Sequence, residues 1–146
     1  MMVGVISDTH GSVHPGVFRA LQGVDLILHA GDIGPEDVIV ELESIAPVTA
    51  VKGNCDYLPV ERFPVERVLD LSGVKVMLRH IPPADALDAA GVRVVVHGHT
   101  HLARNEEIQG TLFFNPGYGG RTRGVTSSVG LLELGTGGVR ARIVEL

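Results

Sequence analysis

Side chains able to bind metal follow apolar runs five times in this chain. Asp8 and His10 follow the run 3–7, Asp32 follows 25–30 and Asn54 follows 48–51. His80 follows 74–79, and His99 and His101 follow 92–96. Two carboxylates, one amide and four imidazoles, with no thiolate among them, suit Mn²⁺, Fe²⁺, Co²⁺, Ni²⁺ or Zn²⁺. The set is too rich in nitrogen for Ca²⁺ or Mg²⁺. Taken singly the pieces read otherwise. Gly31-Asp32 and Gly53-Asn54 are also turn chemistry, and a lone His80 is also a structural histidine. His97-Gly98-His99-Thr100-His101 is different, because packing gives no reason for alternating imidazoles at a strand end.

The elements that must position these groups alternate. The runs 3–7, 25–30, 48–51 and 92–96 read as buried strands. Segments opened by Pro15 and Pro35 read as helices, the first presenting Val17, Phe18 and Leu21 and stopping at Gly23. Strands alternating with helices predict parallel βαβ units. The carboxyl ends of parallel strands share one edge, and ligands bind in the crevice outside them. Residues far apart in sequence therefore meet. Further on, hairpins are expected at 65–71 with 74–79, at 106–109 with 111–114, and at 127–134 with 139–145. A helix is expected at 82–90. The fold class is α/β in front with antiparallel strands behind.

Composition sets outer bounds. The chain has 146 residues, of which 45% are hydrophobic and 20% charged. A chain of this length buries roughly 68–70% of its unfolded surface and can fold without disulfide or structural metal. A single domain, 1–146, is expected. Cys55 is the lone cysteine, which excludes an intrachain disulfide and a cysteine-based zinc finger. Net charge is −5, tryptophan is absent and aromatics are 4%, so strong nucleic-acid binding is not expected. No apolar run reaches membrane-spanning length and no basic leader precedes one, so a cytoplasmic protein is expected. A mean hydropathy of +0.26 is high for a monomer and suggests an apolar patch used in homo-oligomerisation.

Asp8-Thr9-His10, Gly31-Asp32, Gly53-Asn54, His80 and Gly98-His99-Thr100-His101 resemble, in this order, the five blocks of the calcineurin-like metallophosphoesterases. The resemblance runs from residue 3 through Asn115-Pro116-Gly117. The short chain and Gly53-Asn54-Cys55-Asp56 resemble the small prokaryotic phosphodiesterase branch. It implies a four-layer αββα sandwich, two mixed sheets flanked by helices, with two divalent transition-metal ions. Manganese is the first expectation and iron, nickel, cobalt or zinc the alternatives. By position, Asp8, His10 and His101 would hold one ion, Asn54, His80 and His99 the other, and Asp32 would bridge. The implied function is hydrolysis of a small phosphodiester by a hydroxide activated between the two ions, attacking phosphorus in line. Asp32, Asn54 and Cys55 are the candidate catalytic residues, and Asn54 and Arg104 the candidate substrate contacts. The alternatives are a partner-binding scaffold on the same fold, as in the retromer subunit similar to this family, or a phosphomonoesterase or protein phosphatase.

The chain departs from the family pattern at three places. By the resemblance, Cys55 stands where larger members carry a histidine that assists the leaving group. Ile81-Pro82-Pro83 follows His80 where Gly-His is usual. Tyr118 replaces the serine common after Asn-Pro-Gly.

Overall fold

The computed structural model describes residues 1–84 and 91–146. Its order is β1 (Met2–Ile6), α1 (Val17–Ala20), β2 (Leu26–His29), α2 (Asp37–Glu43), β3 (Val48–Ala50), β4 (Glu66–Leu71) and β5 (Val74–Arg79). Then follow β6 (Val94–Val96), β7 (Arg104–Ile108), β8 (Thr111–Asn115), β9 (Ser128–Gly135) and β10 (Gly138–Glu145). The strands form two five-stranded sheets, ordered β10-β9-β1-β2-β3 and β4-β5-β6-β8-β7. The second has a parallel centre and two antiparallel flanks, while the first is parallel to its β3 edge and antiparallel only on the β9–β10 side. β1, β2 and β3 run parallel, as do β5, β6 and β8. β9 pairs antiparallel with β1 and β10, β4 with β5, and β7 with β8. Both sheets are thus mixed, as expected.

Burial on two faces explains why the parallel strands are legible as unbroken apolar runs. In β1, Val3 and Val5 point into the layer between the sheets, where they join Leu28, Ala30, Val76, Leu78, Val94, Val96 and Phe114. Ile6 points the other way, to Ile27, Val17, Leu21, Val38, Ile39 and Leu42 beneath the two helices. A third cluster of Met77, Val92, Val95 and Phe113 lies on the outer face of the second sheet. The expected helix at 82–90 falls, over 85–90, outside the described residues.

The first helix is shorter than its sequence suggests. It spans only four residues and has no side-chain cap. Val17 and Leu21, four apart, share the buried stripe. Phe18 lies one position round the helix and is exposed, which corrects the expectation that all three face the core. In α2 the buried set Val38, Ile39 and Leu42 follows the helical period.

Turn chemistry sets the hairpin registers. Leu71 pairs with Val74 across Ser72-Gly73, and both turn residues have positive φ, at 52° and 81°. Gln109-Gly110 repeats the arrangement between β7 and β8, at 49° and 84°. Such left-handed pairs form the two-residue turns that match strand twist.

Phe114 is fully buried between the sheets. Phe114→Ala should therefore cost about 3–5 kcal/mol of stability. The check is the midpoint of urea unfolding at unchanged slope. A loss below 1 kcal/mol, by order of magnitude, would mean the layer refills the cavity.

Candidate metal centre

The two parallel centres end at one common edge. Asp8 and His10 leave β1, Asp32 leaves β2 and Asn54 follows β3. His80 follows β5, and His99 and His101 follow β6. Three clusters of possible ligand atoms lie there: Asp8 with His10 and His101, Asp8 with Asp32 and His80, and His10 with Asp32 and Cys55.

Each carboxylate divides its two oxygens between two tasks. Asp8 Oδ2 accepts from the Ser7 hydroxyl at 2.7 Å and from the His99 N–H at 3.2 Å. Asp8 Oδ1 has no hydrogen-bond partner among the described residues, though it is buried. It faces His101 Nε2 at 3.3 Å, His80 Nε2 at 3.8 Å and His10 Nε2 at 3.9 Å. Asp32 Oδ1 accepts from the Cys55 N–H at 2.9 Å. Asp32 Oδ2 lies 3.2 Å from His80 Nε2 and 3.7 Å from His10 Nε2.

The imidazoles are aimed in the same way. His80 Nδ1 donates to the Ala30 carbonyl at 2.8 Å, which leaves Nε2 as the lone-pair nitrogen. That Nε2 is buried and unpartnered among the described residues. His10 and His101 bring their Nε2 atoms within 3.4 Å of each other. Tyr118 stacks on the His101 ring at 5.3 Å, and its hydroxyl lies 2.5 Å from the Thr122 hydroxyl. His99 meets the His80 ring edge at 5.2 Å. The Asn54 amide lies against the Cys55 sulfur at 3.6 Å. Unpartnered oxygen and nitrogen lone pairs converging in a dry place need a cation, and this donor mixture fits a divalent transition metal.

Local sequence makes the approach possible. A Cβ at Gly53 would collide with the Asp32 carboxylate, and one at Gly98 with the Ser7 hydroxyl and Asp8. Seven non-glycine residues have positive φ among those described, and five of them are Asp8, His10, Asp32, His99 and His101. Held left-handed conformations of this kind cluster at functional sites.

Sequence reading assigned no role to several supporting residues. Buried Asp56 accepts from the N–H groups of Gly53 (2.8 Å), Ile33 (3.1 Å) and Gly34 (3.0 Å), tying the Asp32 loop to the Asn54 loop. Asn115 donates to the Gly98 carbonyl and the Thr100 hydroxyl, and so holds the loop that carries His99 and His101. Asp56 was in view only as part of Gly53-Asn54-Cys55-Asp56, and Asn115 as part of Asn115-Pro116-Gly117. The hydrogen bonds join residues that sequence spacing does not pair.

Arg104 is engaged elsewhere. Its Nε meets Glu106 at 3.0 Å, an NH group lies 3.4 Å from His97 Nε2, and the guanidinium covers Phe113 on the outer face. This geometry gives no support to its expected contact with substrate. The Asp32 carboxylate beside Cys55, the main cause, pushes the exposed thiol up from its ordinary pKa, so it stays protonated.

The family model for the calcineurin-like phosphoesterase superfamily domain matches residues 1–137. A probable metallophosphoesterase of Methanothermobacter thermautotrophicus is 36% identical, over 80% of this chain and 76% of that protein. A phosphodiesterase of Methanocaldococcus jannaschii, MJ0936, is 30% identical, over 80% of this chain and 83% of that protein. A solved structure described as a novel archaeal phosphodiesterase superposes with a TM-score of 0.84 at 24% identity, covering all of both chains. That last likeness is one of fold. The chain belongs to the calcineurin-like phosphoesterase superfamily.

His29 shows how the support behind the site responds to pH. It is fully buried; its Nδ1 accepts from the Gly31 N–H and its Nε2 lies 3.0 Å from the Thr9 hydroxyl, which donates to the Ile33 carbonyl. That pattern requires the neutral ring. Burial, then the neighbouring His80, pushes its pKa from 6.5 down to about 3, against the pull of Asp32 and with a further small push from His10. The unfolded chain then takes up a proton near pH 6.5 that the fold refuses. Stability is therefore complete above pH 6.5 and falls with pH toward 3, by at most about 1.4 kcal/mol per unit. Unfolding of metal-free His29→Asn, which keeps an acceptor for Gly31, should show a flatter slope between pH 6.5 and 4. Equal slopes would remove His29 from the cause.

Proposed function

We propose that this protein hydrolyses phosphodiesters with two divalent transition-metal ions, manganese foremost. Asp8, His10 and His101 would hold one ion. Asn54, His80 and His99 would hold the other, with Asp32 between them. The observation that carries the reading is the convergence of Asp8 Oδ1, Asp32 Oδ2 and His80 Nε2, two of them buried without a hydrogen-bond partner among the described residues. Bound ions would supply Lewis acidity toward phosphate oxygens and a water of lowered pKa as nucleophile.

The chain's own part is to fix the ligands. Ser7 and the His99 N–H hold Asp8, the Cys55 N–H holds Asp32, and the Ala30 carbonyl orients His80. Two carboxylates against two divalent ions leave net positive charge, which favours an anionic phosphate despite the chain's overall charge of −5. Exposed Asn54, which follows β3, would serve both ion and substrate. The thiol of Cys55 is exposed and carries no positive charge to offer a departing oxygen, so it would be a poor general acid.

Asp32→Asn keeps the shape of the side chain but removes its charge. With saturating Mn²⁺, kcat on a bis(nitrophenyl) phosphate should fall by more than the roughly 10–100-fold caused by losing an outer hydrogen-bond partner. Activity close to that of wild type would sink the two-metal reading. Chelation should abolish hydrolysis while leaving far-ultraviolet circular dichroism nearly unchanged, because the sheets bury enough surface without metal. The melting temperature should fall through lost ligand linkage.

Cys55→Ala should change kcat/KM little on activated aryl esters, since their leaving groups need no proton. A loss of more than about a hundredfold, the size of a general-acid effect, would make the thiol catalytic.

A further inference from the structure

A cleft of about 300 Å³ opens directly beside the metal centre. It is lined by Lys52, Gly53, Asn54, Val65, Arg79, His80 and Ile81. Asn54 and His80 belong to both the cleft and the candidate ligand set, so a group leaving the metal edge on this side enters the cleft at once. Its walls are apolar: Val65 and Ile81 are exposed side chains that belong to no core cluster among the described residues. Its charge is positive. Arg79 gives one NH group to Glu66 at 3.3 Å, while its Nε is buried without a partner among the described residues. Lys52 stands at the same cleft, its backbone N–H tied to the Pro64 carbonyl at 3.1 Å.

We propose that this cleft receives one ester substituent of the diester, an aromatic ring carrying an anionic group. The inference rests on the phosphodiesterase reading. Val65 and Ile81 would cover the ring, and burying apolar surface would draw it from water. Lys52 would take the anionic group, together with the NH group of Arg79 that Glu66 leaves free. Ile81 is the chain's own contribution, since it stands where the family pattern has glycine. The cleft thus gives this protein a preference between diesters that the metal ligands alone would not give.

The test uses Mn²⁺-loaded protein and diesters that share 4-nitrophenolate as leaving group. The second substituent is methyl, phenyl or 4-carboxyphenyl. The expected result is a kcat/KM about tenfold higher for phenyl than methyl, and severalfold higher again for 4-carboxyphenyl. Val65→Ser with Ile81→Ser should bring the phenyl-to-methyl ratio to about one. Lys52→Gln should bring the carboxyphenyl-to-phenyl ratio to about one. Hydrolysis of all three esters at equal efficiency would overturn the cleft and leave the diesterase reading standing. Should no ester be hydrolysed, the diesterase reading fails, and calorimetry decides the cleft alone. Phenyl 4-carboxyphenyl phosphate should then bind about tenfold more tightly than methyl phenyl phosphate, with the difference lost in the variants. Equal binding would overturn it.

Discussion

Buried polar atoms that face one another without a hydrogen-bond partner govern this molecule. Asp8 Oδ1 and His80 Nε2 are buried and lack hydrogen-bond partners among the described residues, and Asp32 Oδ2 lies 3.2 Å from that same nitrogen. In a water-poor site such a convergence is unfavourable unless a cation joins it. Everything around it opposes relaxation. The other oxygen of each carboxylate is fixed by N–H or hydroxyl donors, and the other nitrogen of His80 by a carbonyl. The free atoms therefore cannot rotate away without breaking a bond already made.

The same constraint explains the backbone. Left-handed residues other than glycine cost about 1–3 kcal/mol each, and the candidate ligands include five of them. Strain of that size persists only where surrounding structure overdetermines it. Here the surroundings are two parallel strand centres ending at one edge, with Asp56 and Asn115 cross-linking the loops. A long apolar layer between the sheets, from Val3 to Phe114, supplies the stability against which this strain is held. Fold and site are thus separable energetically.

The parallel strands were legible because burial on both faces writes itself as continuous apolar sequence. The ligand types were legible because each lies within a few residues of such a run. The hairpins were legible from Ser72-Gly73 and Gly110, and the structure adds Gln109 to the second turn at positive φ. What was hidden depends on contacts across the chain. The first helix is four residues long without a side-chain cap, and of the three apolar residues expected on it only Val17 and Leu21 are buried. The roles of Ser7, Asp56 and Asn115 lie in hydrogen bonds to the backbone of other loops, which leave no periodic trace. Arg104 looked free because nothing in sequence announces its stacking over Phe113.

Position 55 shows how support and chemistry can be carried by different atoms of one residue. The backbone N–H of Cys55 holds Asp32, and any residue but proline would do that as well. The side chain is exposed, and the hydrogen bonds that tie this loop to the Asp32 loop run through backbone N–H groups and Asp56 rather than through the sulfur. The position can therefore change its side chain without disturbing the ligand it anchors. That is how a thiol can stand here while the Asp32 oxygen stays fixed. Gly53 has no such freedom, because any Cβ would strike the carboxylate itself. Adjacent positions in one loop are thus under opposite constraints, and the difference lies in which atoms touch Asp32.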